Sequence, residues 1–121
     1  MIQVKRAYEA PSKKDGARFL VDRLWPRGVT REALQIDAWL KDASPSNELR
    51  KRFHGHPEEW QEFCRHYFAE LNKVPEAWAP MMAAAQKGTV TLIYGARDTE
   101  HNNAVALREF LQLHLQSAKK K

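Results

Sequence analysis

Apolar residues fall along this chain in short blocks whose spacing changes from two to three or four. Ile2 and Val4, followed by Ala7 and Tyr8, alternate in part and predict a first strand over residues 2–8. Pro11 to Gly16 is polar, with the composition of a turn. Arg18-Phe19-Leu20-Val21-Asp22 is a short, strongly apolar run that suits a strand buried on both faces. Pro26 and Gly28 then stop any regular element. Thr30 to Leu34 predicts one helical turn capped by Thr30. Ile36, Trp39 and Leu40 continue at helical spacing as far as Ala43.

The middle of the chain has a helical period. Ser44-Pro45 places a cap residue before a proline at a first helical position, and Leu49 and Phe53, four apart, share one face. Gly55 closes that helix. Pro57-Glu58-Glu59 opens the next, with acids at the positive end of its dipole. Trp60, Phe63, Cys64, Tyr67, Phe68 and Leu71 complete an unbroken amphipathic stripe. Trp78 to Gln86 predicts a further helix, starting near Pro75 or Pro80 and stopped by Gly88. Thr89 to Tyr94 is a β-branched strand ending at Gly95. A last helix follows from about Asn102 to Gln116, with Ala104, Leu107, Leu111 and His114 on one side. Strand, polar loop and helix recur as in α/β proteins, so the expected fold is a single three-layer α/β domain with a small, mostly parallel sheet and several helices. Its expected bounds are residues 1–118, with a basic tail at 119–121.

Composition narrows the function classes. A chain of 121 residues leaves no room for two independent cores. One cysteine excludes an internal disulfide framework and a four-cysteine zinc site. No apolar run is long enough for a membrane span, and Met1 to Arg6 has no signal-peptide core, so no membrane partner and a cytoplasmic location are expected. The net charge of +5 is unevenly placed: residues 1–34 carry eight Lys/Arg against four Asp/Glu, and residues 35–118 nine against eleven. That asymmetry fits a local anion site better than a general nucleic-acid coat.

Two loops after apolar strands hold most of the unusual polar residues. The first runs from Asp22 to Gly28, the second from Tyr94 to Asn102. In open parallel sheets ligands bind beyond the carboxyl ends of the strands. If the two strands are parallel neighbours, Arg23 or Arg27 converges with Arg97, and each guanidinium offers a planar fork of donors to phosphate or carboxylate. Free amides opening the last helix favour an anion at the same end. The competing reading pairs these arginines with Asp22 and Asp98 as internal salt bridges. Trp25-Pro26 reads as a packed corner before a stacking platform.

His54, Asp98 and His101 are the candidate acids and bases. Arg50 adds a further cation, and Ser46 and Asn102 are neutral candidates for orienting a ligand, each equally suited to capping a helix. The histidines lack metal-ligand spacing, so no metal is expected, and no cofactor loop is present. Cys64 sits within the aromatic stripe, away from any helix start or cationic loop, and reads as a small buried hydrophobe.

Three blocks carry a family resemblance. Arg18 to Gly28, Ser44 to Phe53, and Thr91 to Asp98 with Glu100 to Ala104 closely resemble, in order, the signatures of the YeaO-like bacterial proteins, a domain of unknown function. With their spacers they cover nearly the whole chain. The resemblance implies a compact bacterial α/β protein and carries no established reaction. The broader superfamily often has cysteines in the last strand-to-helix block. Tyr94, Gly95 and Ala96 stand there instead, which tells against a thiol mechanism of sulfur-transfer or phosphatase type.

These readings leave three functions to separate. The first is a pocket for a phosphate-bearing small molecule such as a nucleotide, with hydrolase or transferase chemistry if it is an enzyme. The second is a nucleic-acid binder without catalysis, and the third is a self-associating protein with structural arginines. Oligomeric state is not legible.

Overall fold

A computed structural model describes residues 1–119 of the chain. Four parallel strands form one sheet: β1 (Ile2–Arg6), β2 (Ala17–Leu20), β3 (Ala38–Trp39) and β4 (Val90–Tyr94), in the order β1-β4-β2-β3. The helices are α1 (Arg31–Leu34), α2 (Asn47–Phe53), α3 (Trp60–Asn72), α4 (Pro75–Lys87) and α5 (Asn103–Lys119). Single 3-10 turns occupy Lys13–Asp15, Lys41–Ala43 and Pro57–Glu59. The α/β class and parallel sheet expected from the sequence are present. Of the tail expected at 119–121, Lys119 ends α5 and Lys120 and Lys121 lie outside the described residues.

The last strand in the chain fills the middle of the sheet. β4 registers Ile2 with Val90 through Arg6 with Tyr94 on one side, and Ala17 with Val90 through Leu20 with Ile93 on the other. Strand alternation then sorts side chains to two faces. Ile2, Val90, Leu92, Tyr94, Phe19 and Val21 point into the main core, where they meet Leu49 and Phe53 of α2, Tyr67 and Leu71 of α3, Met81 of α4, and Leu107, Phe110 and Leu111 of α5. The stripe of α3 faces this core as its spacing predicts.

The opposite face is thinly covered. Leu20 and Ile93 pack there with Ala7 and with Leu34 of α1, beneath Trp25, Val29, Ile36 and Trp39. Beside that cluster lies a buried polar unit. The Asp15 carboxylate accepts from Arg18 Nη1 at 2.6 Å, from Lys5 Nζ at 3.1 Å and from the Ser12 amide at 2.9 Å. Arg18 also donates to the Leu34 and Gln35 carbonyls at the end of α1, at 2.7 and 3.2 Å. A guanidinium there satisfies carbonyls that the helix leaves free and sits at the negative end of its dipole. The buried Thr91 hydroxyl completes the unit by donating to the Asp15 carbonyl at 2.7 Å. Gly16, at φ 64°, is obligatory: a Cβ there would stand 2.1 Å from the Thr89 carbonyl oxygen.

Two local expectations are corrected. Residues 36–40 are not helical, and only Lys41–Ala43 form a 3-10 turn. The Asp37 and Leu40 amides donate to the Arg18 and Leu20 carbonyls of β2 at 2.7 and 2.8 Å, so pairing with a neighbouring strand overrides the apolar spacing. Ser44 does not cap α2, because its hydroxyl turns back to the Lys41 carbonyl at 2.5 Å. Ser46 is the cap: its Oγ accepts from the Leu49 amide and donates to Glu70 of α3. Thr30 caps α1 as expected. α4 starts at Pro75 and carries Pro80 within it.

Burial alone would raise the Asp15 carboxyl, but its hydrogen bonds from Ser12, Lys5 and Arg18 outweigh it and hold Asp15 below the usual aspartate range. Because the folded value is depressed, the stabilisation is complete above the unfolded aspartate range and is lost as pH falls through the folded one. Asp15→Asn should therefore cost about 3–5 kcal/mol at neutral pH, the usual result of breaking a buried pair, and should flatten the loss of stability below about pH 4. Urea denaturation across that range checks both. An unchanged acid profile would show that Asp15 is not the linked group.

Candidate functional site

β2 and β4 are parallel neighbours, so both leave the sheet at the same end. β2 leads to α1 on the thin face and β4 to α5 on the thick one. Adjacent strands whose connections depart to opposite faces leave a crevice between them. The segment from Ser44 to Phe63 forms its third side, and the resulting half-open cavity is about 540 Å³. That volume is in the range of small-molecule sites.

Seven of the ten residues singled out from the sequence line this cavity: Arg23, Arg50, His54, Arg97, Asp98, His101 and Asn102. The other three do not. Trp25 is a packed corner, its Nε1 donating to the Val29 carbonyl at 2.6 Å and its ring meeting Trp39 edge-on at 5.4 Å. Arg27 is exposed, and its carbonyl accepts from Tyr8. Ser46 is taken up in capping α2.

The arginines divide by partner. None of Arg23, Arg50 and Arg97 forms an ion pair among the described residues, whereas buried Arg18 does. The internal salt bridges considered for Arg23 and Arg97 are thus not formed. Arg23 Nε is, among the described residues, the buried side-chain polar atom left without a hydrogen bond. A buried donor lacking an acceptor costs on the order of 1–3 kcal/mol, and here it belongs to a residue lining the cavity.

Asp22 has its own role. It stands two residues beyond the end of β2, and its Oδ2 accepts from the Gly95 amide at 2.8 Å while Oδ1 accepts from Asn103 Nδ2 at 3.1 Å. It thereby ties the end of β2 to the end of β4 and the start of α5. A side chain at position 95 would crowd it, since a Cβ there would lie 3.3 Å from Oδ2. Burial pushes Asp22 above the ordinary aspartate range, against the pull of those hydrogen bonds and of the Arg50 charge. Sequence reasoning treated Asp22 only as a partner for arginine; its place directly after a buried apolar run was the available signal.

The remaining polar residues hold the loop. Asp98 accepts from the His101 and Glu100 amides at 3.0 and 2.9 Å, which keeps its carboxyl below the usual range. Asn102 caps α5, its Oδ1 accepting from the Val105 amide at 2.9 Å. The His101 ring lies on Trp60 at 4.9 Å, and Trp60 lies on Phe63 at 5.6 Å. Phe53, Trp60 and Phe63 form an aromatic wall of the cavity. In the sequence Trp60 and Phe63 are members of the amphipathic stripe and Phe53 shares a face with Leu49, with no cavity indicated. His54 stands exposed at the end of α2.

Over residues 1–121 the chain matches the family model described as the inactive DUF488-N3 subclade. It belongs to that family. It is 41% identical to the uncharacterised protein YeaO of Escherichia coli K12 over 111 residues, spanning 92% of this chain and 96% of that protein. An uncharacterised protein of Mycobacterium tuberculosis H37Rv is 34% identical over 110 residues, 91% of this chain and 92% of its own. No solved structure matches. The family assignment agrees with the resemblance read from the three sequence blocks.

Thiol and metal chemistry find little footing in these residues. Cys64 lies outside the cavity lining, and burial, with Glu109 adding to it, pushes its thiol up to about 11. His56, Glu58 and Glu59 bring ligand atoms within 4.8 Å of one another, but all three are exposed at the start of a 3-10 turn and His56 is already bonded to Glu58. Among the described residues no helix is long and apolar enough to cross a membrane.

Two measurements check this account. Carbon-detected titration of Asp22 should give a midpoint above the ordinary aspartate range; a midpoint at or below it would mean that the Gly95 and Asn103 hydrogen bonds outweigh burial. Alkylation of Cys64 at pH 8 should be at least about tenfold slower in the folded than in the urea-unfolded protein, since the thiolate is the nucleophile. Equal rates would refute the raised thiol.

Proposed function

We propose that the crevice between the β2 and β4 exits binds a phosphate-bearing small anion through Arg23, Arg50 and Arg97. The observation that carries this reading is the Arg23 guanidinium, whose Nε is buried beside the cavity without an acceptor. Arg23 lines the cavity with no ion pair among the described residues, and a forked guanidinium suits the geometry of a phosphate. Arg97 brings a second unpaired cation from the neighbouring strand end, and Arg50 a third from α2. The Asp22 carboxylate is taken up by the Gly95 amide and Asn103 and forms no ion pair with these arginines among the described residues.

Binding without turnover fits the site better than hydrolysis or group transfer. Asp98 is engaged by two backbone amides and His101 is packed on Trp60, which leaves His54 at the rim as the free acid or base among the three candidates. The family's description as an inactive subclade points the same way.

Thermal unfolding in inorganic phosphate, pyrophosphate and matched chloride tests the proposal. At one hundred times its dissociation constant a bound anion stabilises by about 2.7 kcal/mol, on the order of 10 °C for a domain this size. The double substitution Arg23→Gln, Arg97→Gln should abolish that shift while leaving the protein folded. An equal shift in the folded double variant, or none in the parent with either phosphate, would reject the reading.

A further inference from the structure

The three cations account for a phosphate and for only part of the cavity. At about 540 Å³ the hollow has room for a whole metabolite, and inorganic phosphate would leave most of it to water. Much of the remaining wall is flat and apolar. Trp60 stacks on Phe63 at an interplanar angle of 22°, and His101 lies on Trp60 tilted by 30°. The stack runs from the partly buried Phe63 outward to the loop at the end of β4. Its outermost member, the His101 side chain, is still 39% exposed. A stack that ends in an uncovered ring within a cavity accepts another planar group, whereas alkyl chains have no reason to prefer such geometry.

Resting on the phosphate reading above, we propose that the ligand is a phosphate ester of a planar, ring-bearing molecule the size of a nucleoside monophosphate. Its ring packs on the uncovered side of His101, the outer end of the Phe63–Trp60–His101 stack, and its phosphate meets Arg23 and Arg97. One base stacked on an aromatic side chain changes affinity by roughly tenfold, so the ring and the phosphate contribute separably.

Calorimetric titration with adenosine monophosphate, ribose 5-phosphate and adenosine separates the two contributions. The monophosphate should bind at least about tenfold more tightly than ribose 5-phosphate, and adenosine should bind more weakly than the monophosphate. His101→Ala should bring the nucleotide down to the affinity of ribose 5-phosphate without altering the latter. Arg23→Gln with Arg97→Gln should weaken both phosphates. If His101→Ala does not fold, intermolecular NOEs in the parent protein decide instead: adenine protons should contact the His101 ring, and their absence in the saturated complex overturns the proposal. Equal affinity for the nucleotide and ribose 5-phosphate, both lost in the arginine variant, overturns the ring assignment while the phosphate reading stands. Adenosine binding as tightly as its monophosphate, or no binding by either phosphate, overturns the phosphate reading and this proposal with it.

Discussion

The two-sided pairing of β4 is the interaction on which the rest of the molecule depends. β1 and β2 lie within the first twenty residues, yet they do not touch; the strand that joins them arrives some seventy residues later. Without residues 90–94 the backbone groups on both sides of the gap have no partner, and β1 is cut off from the β2–β3 pair. The same pairing sets the crevice, because it puts the exits of β2 and β4 side by side. Asp22 locks that arrangement by holding Gly95 and Asn103 from across the gap.

Comparison of Arg18 with Arg23 shows how position decides the use of a guanidinium. Arg18 points to the thin face, where Asp15 and the carbonyls ending α1 take its donors. With Lys5 also turned to Asp15, two of the cations that make the first third basic are structural. Arg23, five residues on, has passed the end of the strand, and no carboxylate meets it. One arginine replaces the hydrophobic packing that the thin face lacks. The other is left with an unmet donor beside a hollow.

How much of this was legible in the sequence follows from the range of the forces involved. The α3 stripe, the cap at Thr30 and the apolar run of β4 are local signals, and each appears where its pattern put it. The convergence of the Arg23 and Arg97 loops was also legible, because strand ends in parallel sheets share an edge. What was hidden was long-range. Residues 36–43 keep a helical spacing, but two amides find carbonyls in β2 and a short strand results. Ser44 and Ser46 are equivalent as sequence, and only Glu70 of α3 selects the second as the cap. Asp22 reads as a charge available for pairing until its burial between two strand ends is known.

The free borders of the sheet carry one more consequence. At one border β3 offers a ladder only two residues long, too short to template an incoming strand. At the other, β1 ends in Lys5 and Arg6, charges that a second strand would have to lie against. Each border therefore carries a feature that discourages another strand from extending the ladder.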